Sequence, residues 1–315
     1  MKKTALIIAG LTTLTTLTAI TAGYAQAPIP VAVAPAEDHS LGLSLNGSFS
    51  GVGKTPFKSG STRYNEISSS AFEFGLSQFI PFGQDSGVEA SLNYNRTSLK
   101  FEAGKNRTLP LPKHLQSLGL GFNYERPIND RWSAMLGTTL SSASAGSGGF
   151  KSKGFGVDVF AAATYKSSPT LSFIGGLAYS SLAEDTTRLF PVLGVNWTPA
   201  PQWTVAVGIP ETGVTYRFSD SLSLGLVATG QGGAYYVETD PLPGALGKPN
   251  FARTTLDYFA VGVALKAGWQ ASKRFGVTTS VGTILQREFN YESRKLKLKS
   301  DGTGLYYEFG ANFAF

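Results

Sequence analysis

Histidine carries the proton in most serine-based hydrolytic sites, and the sequence contains only two histidines, His39 and His114. Such a site places the imidazole beside a serine or a carboxylate, so that the ring can accept the proton of the nucleophile. His39 lies in a Pro/Ala-rich segment, and His114 follows Lys113 with no Asp-His or His-x-Ser pair. We therefore interpret His114 as a polar residue at the edge of a loop, and the sequence predicts that the protein is not an enzyme.

Metal and nucleotide sites have equally little support in the sequence. The chain has no cysteine, and its two histidines do not cluster with carboxylates, so the usual metal-ligand patterns are missing. The acidic pairs Glu184-Asp185 and Glu238/Asp240 are typical of solvated loops, although carboxylate-only chemistry there stays open. The glycine-rich stretches at residues 146–149 and 230–233 lack the Lys-Ser/Thr that ends a phosphate-binding loop. We predict no metal and no cofactor.

The N-terminus has the organisation of a secretory signal peptide. Lys2 and Lys3 precede an uncharged stretch, residues 4–22, that ends in small-residue cleavage sites. We predict cleavage after Ala25, because cleavage after Ala27 would leave a proline at the new N-terminus. An uncleaved membrane anchor is the alternative, and the six threonines within residues 12–21 make it a poor one.

The remaining composition favours β-structure over helices. The mean hydropathy is -0.01, and beyond the N-terminus no apolar run reaches the about 20 residues that a membrane-spanning helix needs. The 37 glycines, 21 phenylalanines and 13 tyrosines, with 15% charged residues, suit many strands and turns. The formal net charge of +6 falls to +4 when Lys2 and Lys3 are removed, which does not indicate binding to nucleic acid.

From residue 41 onward the dominant pattern is an alternation of apolar and polar residues with period two. In one clean instance, Leu222, Leu224 and Leu226 alternate with serine, glycine and valine. Apolar-outward and polar-inward alternation over about 10 residues per strand is typical of transmembrane barrels. Residues 26–40 lack any periodicity and are predicted to form a Pro/Ala-rich periplasmic linker.

The connections between the predicted strands alternate in length. Short turns are predicted at residues 81–87, 127–131, 167–170, 198–202, 219–221 and 268–274. Longer polar segments are predicted at residues 52–66, 102–112, 142–153, 183–188, 237–253 and 291–303, with a short link at 210–212. Tight periplasmic turns and long external loops produce this alternation in outer-membrane barrels.

Aromatic residues mark both the predicted membrane interface and the last strand. All four tryptophans fall at the short-turn end, as expected of a membrane-interface belt: Trp132, Trp197, Trp203 and Trp269. The final strand carries Tyr307, Phe309, Phe313 and Phe315 on one face. This alternating aromatic strand with a terminal Phe resembles the signal by which the barrel-assembly machinery recognises outer-membrane proteins, which would make that machinery a partner.

These patterns predict an all-β fold, a transmembrane antiparallel up-and-down β-barrel over residues 41–315. The count is about 14 strands, and an even number places both termini on the periplasmic side. The pair formed by residues 203–209 and 214–218 is the weak point because its second strand is short. Without that hairpin in the wall, the number of strands falls to 12.

The segment from Phe190 to Ser219 carries a distinctive W-x-P…W…P…Y-R run. Its landmarks are Trp197-Thr198-Pro199, Trp203, Pro210 and Tyr216-Arg217. This run resembles an uncharacterised family of porin-like bacterial outer-membrane barrels. It covers about 30 of the 315 residues, and the rest of the chain matches by general barrel character alone. The resemblance implies the location and the fold, and it implies no activity.

Residues on the predicted inner face define the candidate channel. Many are small and polar, which in a barrel of 12 or more strands implies a water-filled space unless a loop or the linker folds inward. The candidate pore-lining charges are Glu73, Glu89, Glu125, Asp158, Glu308, Arg131, Lys166, Arg217 and Lys266. With five acids and four bases, either a weakly selective channel or a structural belt of ion pairs is compatible with this set.

The most basic segment is residues 294–299, in which Arg294 precedes Lys295, Lys297 and Lys299. The three lysines are predicted to share one face of a strand. They suit contact with lipopolysaccharide phosphates, a funnel for anions at the outer mouth, or an ordinary solvated hairpin.

The leading hypothesis is a passive diffusion channel for small hydrophilic solutes in the cell outer membrane. The alternative is a non-conducting structural or surface-interaction barrel that contacts lipopolysaccharide or a partner through its basic loops. Outer-membrane lipid is the expected surrounding in both cases, and a monomer is favoured because no long apolar loop or latching segment suggests a trimer.

Overall fold

The structure is a computed structural model, and it describes residues 42–82, 86–104, 108–146, 148–183, 188–208, 212–242 and 250–315. The predicted signal peptide, the linker and His39 lie outside these residues. The strands are β1 (Leu43–Ser59), β2 (Thr62–Pro81), β3 (Gly87–Phe101), β4 (His114–Pro127), β5 (Trp132–Ala145), β6 (Phe155–Ser168), β7 (Leu171–Ser180), β8 (Leu189–Ala200), β9 (Trp203–Gly208), β10 (Thr212–Arg217), β11 (Leu222–Val237), β12 (Thr254–Ser272), β13 (Phe275–Tyr291), β14 (Leu296–Ser300) and β15 (Gly304–Ala314). Two short 3-10 turns occur at Ser152–Gly154 and Glu292–Arg294.

Consecutive strands pair antiparallel around a closed barrel. β13 pairs with both β14 and β15, and β1 pairs with the same two strands on its other side. β14 and β15 are therefore two segments of one wall strand, and the wall has 14 strands. This confirms the larger of the two predicted numbers, with the β9–β10 hairpin inside the wall. Among the described residues, no helix has the length and apolar character to cross a membrane.

The period-two alternation separates the two faces of the wall. Leu45, Leu76 and Leu92 lie side by side in the register of β1, β2 and β3, whereas Asn46, Gly75 and Asn93 form the adjacent row. Successive side chains point to opposite faces of a strand, so the leucines cover the outside and the polar row lines the lumen. The same rule assigns faces along each strand up to its bulges. The alternation shifts in β1 after Val52 and in β13 after Ile284, so Phe57 and Arg287 face inward.

The turns at one end are short, as predicted, and we call this the short-turn end; the opposite end is the long-loop end. Two of the predicted long segments are largely strand. β1 runs to Ser59 and β2 begins at Thr62, so the segment 52–66 is a tight hairpin, and β14 lies within the segment 291–303. The prediction was wrong there because the outer face of these extensions is polar, while Phe57, Ile67 and Leu298 are buried inside.

The wall is not equally tall all round. β1, β2, β12 and β13 have 17 to 20 residues, whereas β9 and β10 have six residues each. At the long-loop end, β5 also pairs in parallel with β11, through Ser144 with Tyr236 and Ala145 with Val237. This bridge closes nine of the wall strands (β1 to β5, β11 to β13 and β14/β15) upon themselves and leaves β6 to β10 outside the closure.

Candidate functional site: the barrel lumen

Towards the short-turn end, the lumen is lined by small and polar residues. Ser44 and Ser77 hydroxyls lie 2.8 Å apart on neighbouring strands, and Asn93 donates a hydrogen bond to Ser91 at 3.2 Å. The small and polar residues in this part of the inner-face register are Ser44, Asn46, Asn93, Asn95, Gly119, Gly121, Ser172, Gly176, Thr204, Thr215, Ser223, Gly225 and Ser280. We call this part of the interior the polar lumen.

Eight of the nine candidate pore-lining charges have the inner-face register. Close to the short-turn end are Glu89, Glu125, Lys166 and Arg217. Farther from it are Glu73, Glu308, Lys266 and Asp158, the last of which is 7% exposed. Arg131 lies in the turn between β4 and β5, directly before Trp132, the first residue of β5. Its carbonyl accepts a hydrogen bond from the backbone N–H of Lys166 at 2.8 Å, so Arg131 lies at the short-turn end of the wall.

A layer of polar contacts marks the inner limit of the polar lumen. Glu73 accepts a hydrogen bond from Asn95, and Tyr306 donates one to Glu308. The two carboxylates are close enough to repel each other electrostatically. Gln231 of β11 donates to the hydroxyl of Ser50 of β1 at 3.4 Å. These two strands are not neighbours in the wall, so the interior has narrowed to the reach of side chains at this level.

Beyond that layer, towards the long-loop end, the interior is filled. We call this filling the apolar core; its buried residues are Val52, Phe57, Ile67, Leu99, Leu109, Leu111, Leu115, Ala143, Ala145, Val227, Tyr235, Val237, Phe251, Leu256, Tyr258, Ala260, Ala264, Ile284, Phe289, Tyr291, Leu298 and Tyr306. Its wall residues come from β1 to β5 and β11 to β14/β15. A barrel of about eight strands is just wide enough for side chains to fill, so the nine-strand closure explains this packing.

Two loops contribute to the apolar core. Leu109 and Leu111 enter from the link between β3 and β4, and Phe251 enters from the link between β11 and β12. Tyr291 holds both links, since its hydroxyl donates to the carbonyl of Pro110 at 3.0 Å and its ring centroid lies 4.7 Å from that of Phe251. The straight path along the barrel axis is therefore blocked by packed side chains at the long-loop end.

Arg287 is a charged residue inside the apolar core, and it has no exposed surface. Its guanidinium donates to the hydroxyls of Ser69 and Thr55, at 3.0 and 3.3 Å, and to the carbonyl of Ile67 at 3.3 Å. The group lies 5.7 Å from the ring centroid of Phe57 and 5.9 Å from that of Phe289. Neutral oxygens and aromatic rings thus hold this cation. Sequence reasoning missed it, because a bulge between Ile284 and Gln286 shifts the alternation of β13. An uninterrupted period of two from the outward Val281 would place Arg287 on the outer face.

The basic segment at residues 294–299 is placed differently from its prediction. Arg294 ends a 3-10 turn and Lys295 is in a left-handed conformation (φ 53°), so β14 begins only at Leu296. Lys295 therefore does not share a strand face with Lys297 and Lys299. The latter two alternate with residues of the apolar core and point away from the interior. Their ammonium groups lie 2.5 and 3.8 Å from the carboxylate of Glu288.

The four tryptophans lie on the outer face at the short-turn end, with exposures from 43 to 54%. Trp132 packs on Tyr165 with ring centroids 4.8 Å apart, and Trp203 packs on Tyr216 at 4.9 Å. In the last strand, Tyr307, Phe309 and Phe313 also face outward and are 43 to 56% exposed. Phe315 donates its backbone N–H to the carbonyl of Leu43 at 2.9 Å, which ties the chain end to β1.

His114 has a partner that sequence reasoning did not find. Its Nδ1 lies 3.2 Å from the hydroxyl of Ser98, which is directly opposite in the β3–β4 ladder. Arg96 and Lys113 are the charged groups that act on the ring, and both are basic, whereas a catalytic imidazole is oriented by an acceptor such as a carboxylate. The described residues also contain no group of three or more potential metal ligands. Of the acidic pairs, Glu238 forms an ion pair with Lys151 at 2.7 Å, and Glu184-Asp185 lies outside the described residues.

The fold is similar to several solved outer-membrane proteins. An outer membrane channel from Pseudomonas putida F1 aligns with a TM-score of 0.49 and 9% identity, over 89% of this chain and 98% of that chain. A variant of the TodX monoaromatic hydrocarbon channel aligns at 0.47 and 11%, over 87% and 90%. The KdgM porin aligns at 0.36 and 11%, over 86% and 99%. These likenesses concern the fold alone, which is a closed antiparallel β-barrel.

Comparison of the sequence itself gives the family. No match was found among curated proteins. The family described as "Domain of unknown function (DUF6268)" matches residues 73–315, which is more than half of the chain and includes the W-x-P…W…P…Y-R run. The chain therefore belongs to this family, whose function is unknown.

Proposed function

We propose that the protein is an outer-membrane channel for the passive movement of small molecules, with its short-turn end facing the periplasm. The observation that supports this most directly is the division of the interior. A polar lumen lined by serine, asparagine and glycine opens at the short-turn end, and the apolar core stops it before the long-loop end. Channels need space and polar groups along the path of a hydrophilic solute, and only the polar lumen offers both.

The division explains how such a channel differs from an open porin. Small side chains line the polar lumen, whereas Phe57, Phe289 and Leu298 have no exposed surface in the apolar core. A hydrophilic solute that enters from the periplasm therefore meets apolar side chains on the straight route outward.

Replacing large side chains of the apolar core by alanine tests whether the polar lumen then leads through the whole barrel. The full-length protein, isolated from outer membranes, is placed in a planar bilayer, and the triple variant Phe57→Ala, Phe289→Ala, Leu298→Ala is compared with it. The intact protein should show little current, and the variant should show discrete conductance steps. The matched control replaces the outward aromatics Phe49, Phe72 and Phe309 by alanine. A folded hollowed variant that stays silent would contradict a continuous lumen, and large steps from the intact protein would contradict the blockage.

A second candidate function is contact with lipopolysaccharide through the outer face of β13, β14 and β1. Lys297 and Lys299 point outward there, and Lys58 is the register partner of Lys299. Cations on the lipid-facing side at the long-loop end suit the phosphates of lipopolysaccharide. The same orientation disfavours an anion funnel, since these side chains do not border the interior.

Replacing Lys297 and Lys299 by neutral residues distinguishes the lipopolysaccharide hypothesis from the anion-funnel hypothesis. The double variant Lys297→Gln, Lys299→Gln should bind immobilised lipopolysaccharide more weakly, as measured with the detergent-solubilised protein. When the same two substitutions are added to the triple alanine variant, the ion selectivity of that channel should stay unchanged. Lys153→Gln, which removes a lysine from the link between β5 and β6, is the control. A shift in the reversal potential of the hollowed channel would restore the funnel hypothesis, and unchanged binding would remove the lipopolysaccharide hypothesis.

A further inference from the structure

The charged residues of the inner face are sorted by sign around the barrel. The inward acids other than Asp158 come from the run of neighbouring wall strands that begins at β14/β15 and ends at β4: Glu308, Glu73, Glu89 and Glu125. The inward bases come from β6, β10 and β12: Lys166, Arg217 and Lys266. Asp158 is 7% exposed, lies towards the long-loop end of β6 and accepts a hydrogen bond from Ser180. The nearly balanced set of charges is therefore divided into an acidic side and a basic side.

Four of these charges lie at the opening of the polar lumen. Glu89 and Glu125 are close to the short-turn ends of β3 and β4, and Lys166 is close to that end of β6. Arg217 is the last residue of β10. Glu89 is partly exposed and the other three are exposed. Within the described part of the chain, none of the four forms an ion pair with another side chain. We call these four residues the charged mouth.

The two signs of the charged mouth face each other across the opening. β10 lies seven strands from β3 and six from β4 in a wall of 14 strands (10 − 3 and 10 − 4), which is about half-way round. Strands about 4.8 Å apart and tilted by about 40° make a 14-strand wall about 28 Å across between backbones. Arg217 is therefore too far from the two glutamates to neutralise them, and each side keeps its charge for a solute.

The basic side is positioned by the W-x-P…W…P…Y-R run. The outward ring of Tyr216 packs on Trp203 and on Phe218, with ring centroids 4.9 and 4.8 Å apart. The backbone N–H of Arg217 donates to the carbonyl of Gln202 at 2.8 Å. Because successive residues of a strand point to opposite faces, holding Tyr216 on the outside directs Arg217 into the opening. The aromatic contacts on the outer face thus fix where the guanidinium enters the polar lumen.

Neutral hydrogen-bonding groups accompany the charges. Asn123 is the register partner of Glu89, and Ser223 is the register partner of Arg217. A solute with amide groups can exchange hydrogen bonds with such side chains, whereas an apolar solute would leave them without partners. The charged mouth therefore suits a polar solute that carries a cationic group at one end and an anionic group at the other.

We propose that the charged mouth binds zwitterionic solutes, such as short peptides with free termini, with the ammonium group towards Glu89 and Glu125 and the carboxylate towards Arg217 and Lys166. This proposal rests on the channel function proposed above and names the class of solute that its entrance takes. An extended tetrapeptide separates its two charges by up to about 13 Å, which suits an opening that inward side chains narrow from both sides. A solute with a single charge is attracted by one side and repelled by the other, so the zwitterion is favoured over both.

Binding is measured on the protein isolated from outer membranes and placed in lipid nanodiscs, by saturation-transfer NMR titration at neutral pH and low salt. The probes are tetraglycine, N-acetyl-tetraglycine, which lacks the ammonium group, and tetraglycine amide, which lacks the carboxylate. Tetraglycine should bind at least threefold more tightly than either blocked peptide. Because screening weakens attraction between exposed charges, this preference should shrink as salt is added.

Two double variants identify which side holds which end of the peptide. Glu89→Gln with Glu125→Gln should abolish the preference over N-acetyl-tetraglycine and keep the preference over the amide. Lys166→Gln with Arg217→Gln should do the reverse. The matched control is Arg126→Gln, which removes an outward charge next to Glu125 and should keep both preferences. Heat-modifiable gel mobility confirms that each variant is folded.

Equal affinities for the three peptides would overturn the proposal, as would a folded double variant that keeps both preferences. Tighter binding of N-acetyl-tetraglycine than of tetraglycine would make the charged mouth a simple anion site and would overturn it equally. The titration uses protein with its apolar core intact and needs no current. A failure at the charged mouth therefore leaves the conductance of the triple alanine variant as a separate test of the channel, and a silent triple variant leaves the binding result standing.

Discussion

Two sectors of one wall share the same alternation and differ in what their inner faces do. In the tall sector, β1 to β5 and β11 to β15, the strands rise past the lipid-facing region and their inward residues pack into the apolar core. In the short sector, β6 to β10, the buried hydrophobic residues among those that the structure describes are Ala178, Ala183 and Phe190. Because the strands of the tall sector extend further, their inward side chains reach those of the opposite wall and pack against them.

The two sectors also differ in how far side chains fill the interior beside them. The tall sector closes on itself through the β5–β11 bridge, so its interior becomes as solid as that of a soluble protein. In the part of the chain that the structure describes, the short sector is a single layer of wall strands whose inner face borders the polar lumen.

Loss of the terminal residue should have the largest effect, because it acts on the closing strand of the tall sector. Deletion of Phe315 removes the N–H that binds the carbonyl of Leu43 and the ring that packs 5.8 Å from that of Phe313. We expect several-fold less folded barrel in outer membranes, measured by heat-modifiable gel mobility. Phe79→Ala, an exposed aromatic of β2, is the control. A normal amount of folded truncated protein would exclude Phe315 as an assembly signal.

Removing the buried cation should weaken the apolar core selectively. Arg287→Ala leaves a cavity and removes the donor to the hydroxyls of Ser69 and Thr55, so the free energy of unfolding should fall by about 3 kcal/mol. Urea unfolding in lipid vesicles measures this loss. The outward arginine Arg96 provides the control, and Arg96→Ala should change stability by less than about 0.5 kcal/mol. Equal effects of the two substitutions would mean that the tall sector has no special interior.

A milder change tests how the loops are held in the apolar core. Tyr291→Phe removes the hydroxyl that binds the carbonyl of Pro110, at a cost of about 1 kcal/mol. Hydrogen–deuterium exchange should become faster at residues 108–113 and stay unchanged in the short sector. Tyr94→Phe, on the outer face of β3, should leave both regions as they are. Unaltered exchange at residues 108–113 would show that the loop is held by apolar packing alone.

The smallest effect is expected at an ion pair on the outside of the tall sector. Lys58 donates a hydrogen bond to Asp301 at 2.6 Å, and this bond and the lysine charge lower the pKa of Asp301 below its ordinary value. The stabilisation is therefore present at neutral pH and is lost as the pH falls through the lowered pKa. Lys58→Gln should raise the pKa of Asp301 towards its usual range, as followed by carboxyl NMR titration. Lys54→Gln, which breaks the pair with Glu102, should not move it.

Much of the wall could be predicted from local pattern. Leucines at every second position of β11, the four tryptophans and the terminal aromatic strand are local signals, and they gave the barrel class and 14 strands. The eight inner-face charges followed from the same period, because one register assigns every side chain of a strand to a face. Arg131 precedes the first residue of β5, so the paired register of that strand does not assign it to a face.

The filled interior could not be predicted in the same way. Outside the membrane a barrel strand has polar residues on its outer face, so Lys58 and Lys297 made the ends of β1 and β14 look like loops. The bridge between β5 and β11, the Ser98–His114 contact and the partners of Arg287 all join residues that are distant in sequence. A period of two assigns a residue to a face but does not show what lies across the lumen.

The β5–β11 bridge has a consequence for the order in which the molecule is built. Ser144 and Tyr236 are separated by 92 positions (236 − 144), and the five strands between them must be in place before the two ends meet. Contacts between distant parts of a chain form late, because a long loop has to be closed first. Refolding should therefore pass through a barrel with a complete wall and an unsealed interior, in which gel mobility is native before residues 108–113 resist protease. During that interval, the refolding protein would form a temporary pore, because the apolar core does not yet fill its interior.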